Sequence, residues 1–260
     1  MDRELWINGS FTLIDPLPQW YCPTCKKYLL KGEKDEFHFV ETIESKNIRK
    51  IKGWEEREIF DTRYRFTGTL KCSNPSCKDV VIFSGTGSMT YAPKKDKSGA
   101  VYTVEAPYFV PQYFNPPLYL FEINKDCPEK IATAIYDSFG LYWYDESSCA
   151  NKIRIVVEII MNQQRVRKTS EKKGKRLNLH QRIEFFERKK PDIAKHLFAI
   201  KFIGNDGSHM GKITTDDLID AYTLLEYSIN NLYGNEVKGL EKLAKEITKK
   251  KGVRSKSNRR

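Results

Sequence analysis

The spacing of apolar positions changes near Asp126. Before it the apolar residues alternate in short runs: Phe37 and Phe39 within Glu36–Glu41, then Tyr64, Phe66 and Thr69 within Ile59–Leu70. Val80–Phe83 is a third run, ending at Ser84-Gly85-Thr86-Gly87, and Ala100–Glu105 is a fourth after the polar stretch Lys94–Gly99. Alternation bounded by turn residues predicts strands, and the paired glycines at 85 and 87 predict a hairpin turn. A phosphate loop at those glycines is disfavoured, because no Gly-Lys-Ser/Thr and no helix pattern follow them. Residues 1–20, with scattered aromatics and Pro16 and Pro18, predict an extended lead-in.

After Asp126 the period becomes helical. Ile131, Ile135 and Phe139 fall on one face behind Pro128, and Ile153, Val156, Val157 and Ile160 form a stripe within Glu146–Gln164. Leu179, Ile183 and Phe186 predict a third helix starting near Asn178, and Ile193, Leu197 and Ile200 a fourth from Pro191. Thr214 and Asp217 form a capping box for a long helix whose core face is Leu218, Tyr222, Leu225, Ile229 and Leu232 and which ends at Gly234. Lys238–Lys251 is helix-prone, and Gly252–Arg260 is expected to be disordered. Residues 106–118, rich in proline and aromatics, predict an extended strap between the halves. The expected fold class is α+β: an antiparallel β domain over 1–105, a linker over 106–125, an all-α bundle over 126–235, and a basic helix and tail over 236–260.

Six cysteines refine the first half. Cys22-Pro23-Thr24-Cys25 and Cys72-Ser73-Asn74-Pro75-Ser76-Cys77 are two short-spaced pairs flanking the strand-rich insert. Each pair turns the backbone back and aims two thiolates inward, so Cys22, Cys25, Cys72 and Cys77 are predicted to hold one structural Zn2+. The alternative is a set of buried thiols without metal. A redox role is disfavoured because no βαβ pattern surrounds the CxxC. Cys127 and Cys149 have no ligand-type neighbours and read as buried thiols.

The formal charge of +11 is concentrated in two places. Arg165–Arg176 nets +6 and 236–260 nets +7, so the other residues carry −2 between them. Two basic appendages on a near-neutral body predict contact with RNA or DNA, or serve solubility alone. No apolar run approaches the roughly 18 residues of a membrane span, and no signal-peptide pattern is seen, so no membrane association and a cytoplasmic location are expected.

Candidate chemistry gathers at Lys201-Phe202-Ile203-Gly204-Asn205-Asp206-Gly207-Ser208-His209, read as a turn between two helices. Metal-free RNA cleavage needs acid–base groups and a cation near the phosphorane. His209 fits the first role and Lys201 or Arg154 the second, while Asn205 is suited to hold a phosphate oxygen or the imidazole. Arg154 and Glu158 stand four apart on one helical face with Asn151. The structural alternative has Asn205 capping the turn, the glycines taking positive φ, and His209 bonding a backbone carbonyl.

Several segments together resemble a bacterial family. They are Phe114-Asn115-Pro116-Pro117-Leu118, Ser138-Phe139, Ala150-Asn151-Lys152-Ile153-Arg154, Glu158, Leu179-His180-Gln181-Arg182-Ile183 and Lys201–His209. That family pairs a zinc-ribbon-like front with a helical domain of unknown function and is often encoded beside restriction and phage-defence genes. The helical half is similar to the HEPN superfamily (higher eukaryotes and prokaryotes nucleotide-binding), many of whose members are metal-independent endoribonucleases acting as homodimers. The HEPN signature is an Arg, commonly followed by Asn, then a short spacer and a His. Asn205 and His209 match it, but Gly204 occupies the Arg position, so no catalytic Arg is carried over. The resemblance implies an RNA-binding homodimer of defence type, with Arg154, Glu158, Lys201, Asn205 and His209 as the catalytic candidates for an endoribonuclease. The alternative is a non-catalytic dimerisation scaffold for another defence protein.

Overall fold

A computed structural model describes residues 1–14, 16–51, 59–170, 174–206 and 213–250. The first half is an antiparallel sheet of β1 (Phe11–Thr12), β2 (Leu30–Glu41), β3 (Arg63–Cys72), β4 (Val80–Lys95) and β5 (Val101–Asn115). The spatial order is β1-β5-β4-β3-β2. Helix α2 (Ile43–Ile51) leaves β2, and the lead-in carries a short helix, α1 (Arg3–Ile7), ahead of β1. The second half is helical: α3 (Glu129–Leu141), α4 (Glu146–Gln163), α5 (Leu179–Glu187), α6 (Pro191–Asp206), α7 (Thr215–Tyr233) and α8 (Asn235–Lys250). No described helix is long and apolar enough to cross a membrane.

The sheet is organised by phenylalanines. Phe66, Phe83 and Phe109 are buried on one face, with Phe11 over them from β1 and Phe37 from β2. Ring centroids lie 5.0 Å apart for Phe37–Phe109 and 5.4 Å for Phe66–Phe83, both edge-on. Such pairs contribute about 0.5–1.5 kcal/mol beyond the area they bury. This packing corrects the reading of Gly85 and Gly87. They lie inside β4, opposite Pro111 and Phe109 of β5, and form no hairpin turn. A Cβ at Gly85 would strike the Val110 carbonyl oxygen and come within 2.9 Å of the Phe66 ring. Glycine stands there because the ladder shifts register at Ser84/Gly85 and draws the β5 backbone close.

The proposed linker is corrected as well: residues 106–115 are the last two thirds of β5, paired with β4. Proline is tolerated because β5 meets β1 only at Tyr108 and Phe109 and is otherwise an edge on that side. The residues expected to form a turn at 201–206 are the last turns of α6. The other helix expectations hold closely. Asp145, Asn178 and Thr214 cap α4, α5 and α7 with their side chains, and the last two form full capping boxes.

The halves share one core. Trp20 touches Phe83 and Phe114 of the sheet and Trp143 between α3 and α4, with centroids 6.3, 5.1 and 6.0 Å away. Trp143 also packs on Phe114 at 4.8 Å and on Trp6 of α1 at 6.1 Å. The Tyr142 hydroxyl donates to the Trp6 carbonyl at 2.8 Å, and Arg3 reaches Asp216 and Asp220 of α7. Residues 1–9 therefore join the sheet to the helices rather than belonging to the sheet alone.

One polar network lies inside the bundle. The Tyr222 hydroxyl, fully buried, donates to Ser138 Oγ at 2.9 Å and lies 3.1 Å from Cys149 Sγ, while Ser138 Oγ donates to the Ile135 carbonyl at 2.6 Å. Burial pushes the Cys149 thiol up to about 12 and raises the Tyr222 phenol well above its usual range. Both groups are thus neutral hydrogen-bonding elements. Tyr222→Phe is expected to lower stability by about 1–3 kcal/mol in urea denaturation, because it removes a donor from buried partners while conserving volume. No change would mean the network contributes nothing net.

Candidate functional site

Two arrangements of side chains stand out, one in each half. The first is the cysteine cluster, at the end of the sheet where β2 begins and β3 ends. Cys22, Cys25, Cys72 and Cys77 bring their sulfurs within 4.8 Å of one another. Cys22 and Cys77 are 3.9 Å apart, and Cys25 and Cys72 3.5 Å. A tetrahedral ion with metal–sulfur bonds near 2.3 Å sets its sulfurs roughly 3.8 Å apart, so the cluster fits such an ion.

The two turns are built alike. Lys26 N–H donates to the Cys22 carbonyl at 2.8 Å, and Lys78 N–H to the Asn74 carbonyl at 3.0 Å. Lys26 and Lys78, each following the second cysteine of its pair, both take positive φ, at 55° and 52°. Asn74 N–H donates to Cys72 Sγ at 3.4 Å, and its side chain accepts from Ser76 N–H at 3.0 Å. The turns are tied together by Thr24, whose hydroxyl donates to the Asp79 carboxylate, and by Ser73 N–H, which donates to the Leu29 carbonyl at 3.0 Å. The wider spacing of the second pair is thus absorbed by an Asx turn, which the sequence Asn-Pro-Ser favours.

Electrostatically the thiols are unequal. Burial pushes Cys72 up to about 12 and raises Cys22, whereas the Lys27 and Tyr28 N–H groups draw Cys25 down to about 6. All four sulfurs would ionise together only with a cation among them, so the cluster is compatible with a metal site.

The second arrangement is a cleft of about 430 Å³ between α4, Lys168, residues 176–178 and the start of α5. Its polar lining is Arg154, Glu158 and Asn162 from the α4 face, Lys168 and Arg176 from the connecting segment, Asn178 at the cap of α5, and Arg182 from α5. Arg154 Nη1 donates to Glu158 Oε1 at 2.7 Å and its Nε to Asn151 Oδ1 at 3.2 Å, so the shared face read from the sequence is a contact. Arg182 is 7% exposed. Its Nη2 donates to Asn162 Oδ1 at 2.9 Å and to the Val166 carbonyl at 3.2 Å.

The other candidates are placed differently. Gly204 meets α4: a Cβ there would lie 2.5 Å from Arg154 Cβ and 2.9 Å from the Ala150 carbonyl oxygen. Gly204 is therefore the crossing point of α4 and α6, which accounts for a glycine at this position, and it needs no positive φ. Lys201 lies with its Nζ 4.1 Å from the Phe202 ring centroid and does not line the cleft. Asn205 is half-buried on the last turn of α6. His209 lies outside the described residues. The sequence names Arg182 only within the Leu179–Ile183 segment; its signal as a site residue is that it interrupts the Leu179, Ile183, Phe186 face with a charge three positions after Leu179.

Comparison with known families divides the chain at the same place as the geometry. Residues 10–114 match a domain of unknown function, DUF8608. Residues 138–253 match a second domain of unknown function, DUF4145. No curated protein and no solved structure matches the chain. The DUF8608 segment contains all four clustered cysteines and ends at Phe114, one residue before the end of β5. The DUF4145 segment contains the whole basic cleft and the Lys201–His209 stretch.

Proposed function

We propose that the chain is a zinc-stabilised nucleic-acid-binding protein of bacterial defence type, with a HEPN-like helical half that binds RNA through the basic cleft. The observation that carries this reading is the convergence of Arg154, Lys168, Arg176 and Arg182 onto one cleft where, among the described residues, the one carboxylate, Glu158, is already held by Arg154. Phosphate backbones are bound by such groupings, and α8 adds the exposed lysines Lys242, Lys245 and Lys249 on one helical face. In the cysteine cluster zinc suits four thiolates in tetrahedral geometry, and its role there is structural, since no position is left open for substrate. The lining groups are cations and amides, the chemistry that binds phosphate.

A second reading, the interaction scaffold, is favoured by another face of α8. Leu240, Leu243 and Ile247 are exposed there at helical spacing, as a partner-seeking surface would be. Salt distinguishes the two. Anisotropy of labelled single-stranded RNA is expected to show log K falling linearly with log salt. Replacing Lys168 and Arg176 together by Ala should flatten the slope by roughly 0.7–0.9 per lost contact. Absence of binding at low salt would end the nucleic-acid reading and leave the scaffold.

A further inference from the structure

Arg182 is a buried cation that makes no direct ion pair among the described residues; Glu158 acts on it only through space. Among the described residues no carboxylate comes within ion-pairing distance of it, and its Nε makes no hydrogen bond. Its Nη2 is spent on Asn162 and the Val166 carbonyl, which orient the guanidinium without neutralising it. An isolated charge in that position is costly unless something compensates it. The nearest carboxylate along the cleft, Glu158, is engaged by Arg154 at 2.7 Å. Burial draws the Arg182 guanidinium down from its usual range, yet an arginine remains charged at neutral pH.

Glu158 offsets part of this charge and is shared with Arg154, so an anion in the cleft would complete the compensation. Arg176 and Lys168 stand exposed at its rim, on the segment that Arg182 anchors through Val166. Arg154, Lys168, Arg176 and Arg182 against Glu158 leave an excess of three positive charges around about 430 Å³. A doubly charged phosphate monoester compensates more of this than a singly charged internal phosphodiester does. The volume is that of a small-molecule site rather than of a groove that tracks a strand. The bonds from Nη2 to Asn162 and Val166 fix the plane of the guanidinium at the wall, which leaves Nη1 as the group to meet a phosphate oxygen.

We propose that this cleft binds the terminal phosphate monoester of a nucleic-acid strand, with Arg182 as its central ligand and Arg176 and Lys168 as the rim. This rests on the nucleic-acid reading above and adds to it which part of the strand is recognised.

The test uses the full-length chain and one single-stranded RNA sequence in three forms: 5′-phosphorylated, 3′-phosphorylated and hydroxyl at both ends. One phosphorylated form is expected to bind about tenfold or more tighter than the hydroxyl form, the scale of one charge-assisted hydrogen bond. Inorganic phosphate should displace it. Arg182→Gln, with unchanged circular dichroism, should remove the difference between the forms. If that variant does not fold, the double change of Lys168 and Arg176 to Ala on the exposed rim should shrink the same difference. Equal, salt-dependent binding of all three forms would overturn the terminal-phosphate proposal and leave the nucleic-acid reading intact. No binding by any form would overturn both. A nucleoside monophosphate that binds as tightly as the best strand, with phosphate competing, would also overturn the strand end as the ligand and give the site to a free nucleotide.

Discussion

Replacing Cys72 by Ser is expected to unfold the sheet and to lower the melting temperature of the whole chain. In zinc-finger peptides the metal contributes on the order of 10 kcal/mol to folding. A domain's entire stability is about 5–15 kcal/mol. Loss of one of four ligands is therefore comparable with everything that holds the fold. The effect should not stop at the sheet. Trp20 stands two residues before Cys22 and touches Phe83, Phe114 and Trp143, so the first cysteine turn also fixes the ring that joins the halves. One cooperative transition is expected in place of two, with tryptophan fluorescence and far-UV circular dichroism changing together. Metal analysis should find about one zinc per chain in the parent protein and none in the Cys72→Ser variant. Cys127→Ser provides the control: Cys127 is buried but outside the cluster, so its loss should leave metal content unchanged. A metal-free parent protein with full stability would end the claim.

The same contrast explains what the sequence did and did not disclose. The cysteine turns were legible because metal ligation imposes spacing on neighbouring residues, and Pro23, Asn74 and Pro75 carry the turn chemistry locally. The helices of the second half were legible because Asn178 and Thr214 cap them and their apolar stripes repeat over several turns. The misread stretches depend on partners far away in the chain. Gly85-Thr86-Gly87 looks like a turn to any local rule. It is strand because Phe66 and the Val110 carbonyl need the space a side chain would fill. Residues 106–115 carry prolines that locally forbid a central strand, and they are strand because β1 covers only Tyr108 and Phe109. The basic cleft was half legible. The charge excess of Arg165–Arg176 was plain, but Arg182 becomes informative only once α5 packs it against Asn162 and Val166.

Gly204→Ala is expected to destabilise the protein, against what helix propensity alone would give. Gly204 lies within α6, where glycine is about 1 kcal/mol worse than alanine. On propensity the change would therefore stabilise. Packing opposes it. The new Cβ would stand 2.5 Å from Arg154 Cβ, 2.9 Å from the Ala150 carbonyl oxygen and 3.2 Å from Arg154 Cγ. Two of these three atoms are fixed by the α4 backbone, so no side-chain rotation relieves them and the helices must separate. Overpacking of this kind typically costs about 1–3 kcal/mol, and separation would also loosen the stripe of Ile153, Val156 and Val157 behind it. The packing cost exceeds the propensity gain, so the net change should be a loss. Gly204→Arg should cost more still, because its stem meets the same α4 backbone. It would also displace Arg154, one wall of the basic cleft. Urea denaturation of both variants beside the parent checks this. A Gly204→Ala protein more stable than its parent would show that α4 and α6 do not cross as closely as 2.5 Å implies, and that glycine at 204 answers to something other than packing.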